Sequence, residues 1–190
     1  MALTKLLKYS GFAGVGIIWT SILAGIILAQ LNILSKTPLS QLGVTPSSQF
    51  IFILGLSASA ICLSLFSFYA YQQLKSSVWA PVVMTAGQLC LIGVALTPYT
   101  ATNFVRPLHI GLGFVSALSI PIAMGIFAYS AESFRKLCQL FFMVGLVFFT
   151  LGLGSFIFAP VGGALSQIVT TLTFHVWIIV LSWQIIANKQ

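Results

Sequence analysis

Acidic side chains are almost missing from this chain. Its 190 residues include no Asp and one Glu, Glu132. A carboxylate pair for acid and base catalysis therefore cannot be assembled within one chain, and a metal site that needs several Asp, Glu, His or Cys ligands has few candidates. The intramembrane acid that proton-coupled transport usually employs is missing as well. We expect no metal, no other cofactor and no enzymatic activity.

Charged residues of either sign are also scarce, which excludes the surface of a soluble protein. Only 5% of the residues are charged and 59% are hydrophobic, whereas about a quarter of a soluble domain is charged. The net charge of +7 comes from basic residues scattered between apolar runs. Such scatter forms no basic patch for nucleic acid. We interpret residues 1–190 as one membrane domain.

Sequence motifs for disulfides and for nucleophilic catalysis are missing too. Cys62, Cys90 and Cys138 show no CxxC spacing, so no disulfide is predicted. The many serines lack a G-x-S-x-G elbow, and serine in membrane helices is typical of helix packing. An enzyme with a Ser or Cys nucleophile and a His base stays open as an alternative.

Long apolar runs are what the chain has in abundance. A helix needs roughly 20 apolar residues to cross the hydrocarbon core of a membrane. The uncharged run from Leu137 to Asn188 would measure roughly 78 Å as one helix, so we expect it to fold back near Pro160. The sequence predicts an all-α, polytopic membrane protein, a six-transmembrane-helix bundle. Its predicted spans are residues 11–34, 50–71, 78–96, 108–129, 137–158 and 164–187.

The placement of Lys and Arg predicts the orientation of these spans. Basic residues in short loops are held on the cytoplasmic side. With both termini inside, the outer loops contain only Lys36 and Arg106. The inner segments contain Lys5, Lys8, Lys75, Arg135, Lys136 and Lys189. We therefore expect a multi-pass protein of a prokaryotic cell membrane, with N-in/C-in topology.

Small residues at four-residue spacing predict how the helices pack. Span one has Ser21, Gly25 and Ala29, and span two has Gly55 and Ser59. Without a hydrophobic driving force between helices in lipid, such residues allow the close backbone approach that holds a bundle together. We interpret them as helix-packing faces.

The last span has a polar face. Gln167, Thr171 and His175 recur every four residues and therefore share one side of the helix. Lipid is a poor environment for an amide and an imidazole, so this face should point into the bundle. It is either a hydrogen-bonded helix interface or a surface for a ligand.

The two histidines also suggest a b-type haem as an alternative. His109 lies at the outer end of span four, and His175 lies roughly 16 Å deeper by helical rise. One haem iron does not readily reach both rings, so we do not favour this alternative.

Polar residues of the outer loops and of span six form a candidate ligand site. Arg106 would supply a fixed cation suited to the phosphate of a lipid head group or to another small anion. The other interpretation is that Arg106 only extends to the membrane interface. The candidate residues are Ser40, Gln41, Asn103, Arg106, His109, Gln167, Thr171 and His175.

Two short motifs resemble a known family. The loop after span one reads PLSQLG at residues 38–43, and span four opens with RPLHIGLGF at residues 106–114. The chain resembles the bacterial and archaeal integral membrane proteins grouped as domain of unknown function 998. The resemblance implies six spans and an outer site near the loop motif. Gln41 replaces an acidic residue of the family motif, and Ser166 and Gln167 stand where a charged pair is often found.

Together these patterns predict a non-enzymatic membrane protein. It would bind a lipid or small molecule in an outward-opening polar pocket, or act as a membrane partner subunit in a homo- or hetero-oligomer. The alternative is a protein that uses His109 and His175 to hold haem or to catalyse a reaction. Membrane lipids are the expected surroundings and partners.

Overall fold

The computed structural model describes residues 2–33, 37–97, 104–132, 134–158 and 163–187. That part of the chain is helical and contains no strand, which confirms the predicted all-α class. Its elements are α1 (Ala2–Ala29), the 3-10 helix η1 (Leu39–Gly43), α2 (Gln49–Leu74), α3 (Trp79–Leu96), α4 (Val105–Ser130), α5 (Arg135–Phe158) and α6 (Gly163–Ala187).

Five of these helices are long and apolar enough to cross a membrane. They are α1 from Leu7 onward, α2, α3, α4 and α6. Helix α5 coincides with the fifth predicted span, but its crossing, and with it the total of six spans, stays a prediction. The uncharged run that begins at Leu137 does divide into two helices, α5 and α6. The predicted breaker at Pro160 lies outside the described residues.

The end of the first span was predicted too late. The apolar run predicted a span that ends at Leu34, but α1 ends at Ala29. Gln30 has a left-handed backbone, with φ of 51°. The N–H of Leu31 then donates to the carbonyl of Ile26 at 3.0 Å, and the N–H of Gln30 donates to the carbonyl of Ile27 at 3.2 Å. This pair of bonds closes a helix end locally, whatever the polarity of the residues that follow.

The helices form a ring in chain order. Each packs on the next, and α1 packs on α6 to close the ring. Large side chains from four helices fill its centre, since Phe66, Met84, Phe127 and Trp177 are at most 2% exposed. Large apolar side chains cover the outside, as a surface solvated by lipid requires. Apolar side chains therefore make up most of the packed interior.

The closest helix pair is α1 with α2, and the predicted small residues produce it. Gly55 lies directly against the side chain of Ser21. The Ser59 hydroxyl donates to the carbonyl of Gly14 at 2.8 Å. Small residues and a hydroxyl bond across helices are the contacts expected in lipid, so the predicted roles of Ser21, Gly55 and Ser59 are confirmed.

The α2–α3 and α4–α5 turns are joined at one end of the ring. The N–H of Glu132 donates to the carbonyl of Leu74 at 3.1 Å, and the N–H of Ser77 donates to the Ser130 hydroxyl at 2.9 Å. Lys75 and Glu132 add an exposed ion pair at 3.9 Å. Both turns were predicted to be cytoplasmic, and their contact places them at the same end of the bundle.

Candidate functional site

The helix η1 lies at the opposite end, which we call the η1 end and which is the predicted outer end. It contacts α1, α2, α3 and α6. Leu39 and Leu42 are buried, with Leu42 fully enclosed at 0% exposed. A Cβ atom on Gly25 would lie 3.1 Å from the Leu42 side chain. Leu42 can therefore pack closely against α1 because residue 25 is glycine. The PLSQLG motif thus forms a wedge between helices.

Hydroxyl groups hold the chain on either side of this wedge. The Ser48 hydroxyl donates to the carbonyl of Leu42 at 2.9 Å, and the Ser47 hydroxyl donates to the carbonyl of Leu28 at 2.9 Å. Ser48 is fully buried. Sequence reasoning treated both serines as loop residues, and the available signal was the tendency of Ser to bond nearby backbone in turns.

Gln167 joins the wedge to the last helix. Its Oε1 accepts a hydrogen bond of 2.7 Å from the backbone N–H of Leu39. Ser40 and Gln41 follow Leu39 in the same turn and are partly buried. The structure therefore brings three predicted site residues, Ser40, Gln41 and Gln167, to the same place.

His109 is tied to the end of α3. Its Nδ1 lies 2.6 Å from the carbonyl oxygen of Thr97, and because a carbonyl can only accept, Nδ1 carries the proton. Ala95 lies two residues before Thr97, at the end of α3. Its carbonyl oxygen is 3.8 Å from the position that a Cβ atom on Gly43 would occupy. His109 is thus linked to η1 through the end of α3.

The other predicted residues lie at different depths. Arg106 is exposed in the first turn of α4, whereas Asn103 lies outside the described residues. Thr171 is partly buried on α6. His175 lies at the middle of α6, is 4% exposed, and meets the Trp19 ring edge to face with centroids 5.9 Å apart.

Metal ligands do not gather in the described part of the chain, where no three His, Cys, Asp or Glu residues form a group that could hold an ion. The two histidines occupy different levels of their helices, since His109 is in the second turn of α4 and His175 is central in α6.

Sequence reasoning also missed Gln88 of α3, a buried amide. It is 1% exposed, and its Nε2 lies 4.0 Å from the sulfur of Met84. Its Oε1 has no hydrogen-bond partner among the described residues. A lone amide in the middle of an apolar span was a usable signal, because amides are unfavourable in lipid.

A family model described as "Protein of unknown function (DUF998)" matches residues 12–184. The matched residues include both the η1 motif and the segment that contains Arg106 and His109. No curated protein and no solved structure matches the chain.

Proposed function

Because this chain belongs to the DUF998 family of proteins of unknown function, we propose a function from the residues at its η1 end. The apolar helices make it a multi-pass membrane protein. We propose that it crosses a prokaryotic cell membrane six times with both termini inside. At the outer surface, the η1 end binds an anionic head group, either that of a lipid or that of a small molecule.

The hydrogen bond from Leu39 to Gln167 is the observation that carries this proposal. It holds the polar residues of η1 beside the start of α6, while the bond from His109 to Thr97 holds the start of α4 beside the end of α3. These bonds support a site at one end of the bundle that contains Ser40, Gln41, Gln167 and His109.

Arg106 supplies the charge for an anion at this end. It is exposed in the first turn of α4, where the helix dipole also favours negative charge. The first turn of α4 contains no acidic residue that would compete with a bound anion for the Arg106 side chain. A guanidinium matches the geometry of phosphate and carboxylate, so an anionic head group is the ligand class that fits.

Replacing Arg106 tests the head-group site. We expect Arg106→Ala to lower the retained anionic lipid about tenfold, since a hydrogen bond to a charged group within a binding site contributes about 1.5 kcal/mol. The measurement is native mass spectrometry of protein taken from nanodiscs of phosphatidylglycerol and phosphatidylcholine. Arg135→Ala, at the other end of the bundle, is the matched control and should keep its lipid.

Other results would change this assignment or contradict it. Unchanged lipid together with weaker binding of inorganic phosphate to Arg106→Ala would assign the site to a small soluble anion. Equal loss of lipid in the Arg106 and Arg135 variants, or no loss of either ligand, would contradict the site.

The orientation can be tested by labelling. In a variant without the native cysteines, Gln49→Cys at the start of α2 and Lys75→Cys after its end both give exposed thiols. We expect a membrane-impermeant maleimide to label residue 49 on intact cells and residue 75 only after permeabilisation, because Lys75 belongs to the basic inner segments. The reverse pattern would contradict the N-in/C-in topology.

A further inference from the structure

The junction of α1 and α6 differs from the rest of the ring. Within the described residues it is the least extensive contact between neighbouring helices. Trp19 of α1 meets His175 of α6, and Gly11 lies against the hydroxyl of Ser182. The two helices are therefore antiparallel here, and we call this junction the α1–α6 seam.

One side of α6 at the seam has four polar residues, with apolar Ile178 between the last two. Gln167, Thr171, His175 and Ser182 are spaced by four, four and seven residues, which places them along one side of a helix. Its first member bonds η1 at the η1 end. The face thus runs from the η1 end past the middle of α6.

Two polar atoms deep in this face lack a hydrogen bond. Nδ1 of His175 and Oγ of Ser182 are buried with no partner among the residues described. By contrast, the hydroxyl of Ser21 in α1 donates to the carbonyl of Ile17, one turn back, at 2.8 Å. A buried polar group without a partner costs about 1–3 kcal/mol, and lipid supplies no water to relieve that cost. Seven residues of helix separate the two atoms by roughly 10 Å, so a hydroxyl group bound to Nδ1 of His175 would remove the cost at that atom alone.

The charges around the seam restrict the class of that ligand. Helix α6 has no charged residue from Gly163 to Ala187, and α1 has none between Tyr9 and Ala29. The rings of Trp19 and Phe174 flank His175. Such a site does not compensate the charge of an ion, but it suits a neutral group that both donates and accepts hydrogen bonds.

We propose that the α1–α6 seam is a hydroxyl-binding site at the middle of the membrane, in which water, or the hydroxyl of a small neutral molecule, hydrogen-bonds Nδ1 of His175. The ligand enters from the η1 end along Gln167 and Thr171, which are both partly exposed. Buried waters in proteins satisfy polar atoms of this kind, with about three hydrogen bonds each. This site is separate from the head-group site at Arg106.

Water itself is the probe for a test by NMR. Protein labelled with 15N-histidine in nanodiscs should show magnetisation transfer from water to the His175 ring. Thr171 lies one turn before His175 on the same side of α6, where its hydroxyl would be a second hydrogen-bond partner of the bound water. Thr171→Val keeps the side-chain shape but removes that hydroxyl, and we expect the transfer to fall about fivefold, the equivalent of one hydrogen bond of about 1 kcal/mol. Thr20→Val is the matched control, because Thr20 is exposed on the outer face of α1. It should leave the transfer unchanged, and Thr171→Ser should restore it.

Other results would overturn the inference. A visible His175 signal without transfer from water in the unaltered protein would show a dry seam. Transfer that persists in Thr171→Val would contradict entry along the polar face. Lipid retention at Arg106 is a separate measurement, so either site can fail without the other.

Discussion

Gly55→Ala should destabilise the protein by about 1–3 kcal/mol, the usual cost of forcing an extra carbon into a packed interface. The new methyl group would occupy the space of the Ser21 side chain. Helix α1 would have to move away from α2, and the bond from Ser59 to Gly14, now 2.8 Å, would lengthen with it. The free energy of unfolding in mixed detergent and SDS measures the effect.

Gly111→Ala is the matched control for this prediction. Gly111 lies in α4, and nothing lies within 4 Å of where its side chain would begin. Alanine is favoured over glycine inside a helix by about 1 kcal/mol, so this variant should be stabilised. The double variant Ser21→Gly/Gly55→Ala should recover most of the loss, because the two sites are in contact and their effects do not add. Equal effects of Gly55→Ala and Gly111→Ala would contradict the close packing.

The positions of the helices could be predicted because hydropathy and helix length are local properties. Each of α2 to α6 begins and ends within a few residues of its predicted span. The exception is α1, which begins at Ala2, nine residues before its predicted span, and ends at Ala29 although apolar residues continue. A left-handed residue, Gln30, closes that helix, and an average of hydrophobicity does not detect a single backbone conformation.

The site could be predicted only in part, because its contacts join distant segments. The four-residue spacing alone places Gln167 on a polar face of α6, and such a face is expected to point away from lipid. Its partner could not be read in the same way, since Leu39 is 128 residues away and donates through its backbone. Gln88 was missed because its polar neighbour at helical spacing is Thr85 alone, a shorter pattern than the three polar residues of α6. Thr97 offered no signal that His109 would bond its carbonyl.

Leu42→Ala should remove about 2–5 kcal/mol from the free energy of unfolding, the range for truncating a buried leucine. Leu42 is 0% exposed and is the side chain through which η1 packs against Gly25. Loss of this contact loosens η1 itself, so amide hydrogen exchange of residues 39–43 should accelerate together with the loss in stability.

Leu23→Ala separates this effect from the general cost of losing a leucine. Leu23 is 57% exposed, so its truncation leaves no internal cavity, and the change in stability should stay within about 0.5 kcal/mol. If Leu42→Ala destabilised the protein no more than Leu23→Ala, η1 would be a surface loop and not a wedge. In that case the bond from Leu39 to Gln167 would lose the packing that positions it, and with it the structural basis for a binding site at the η1 end.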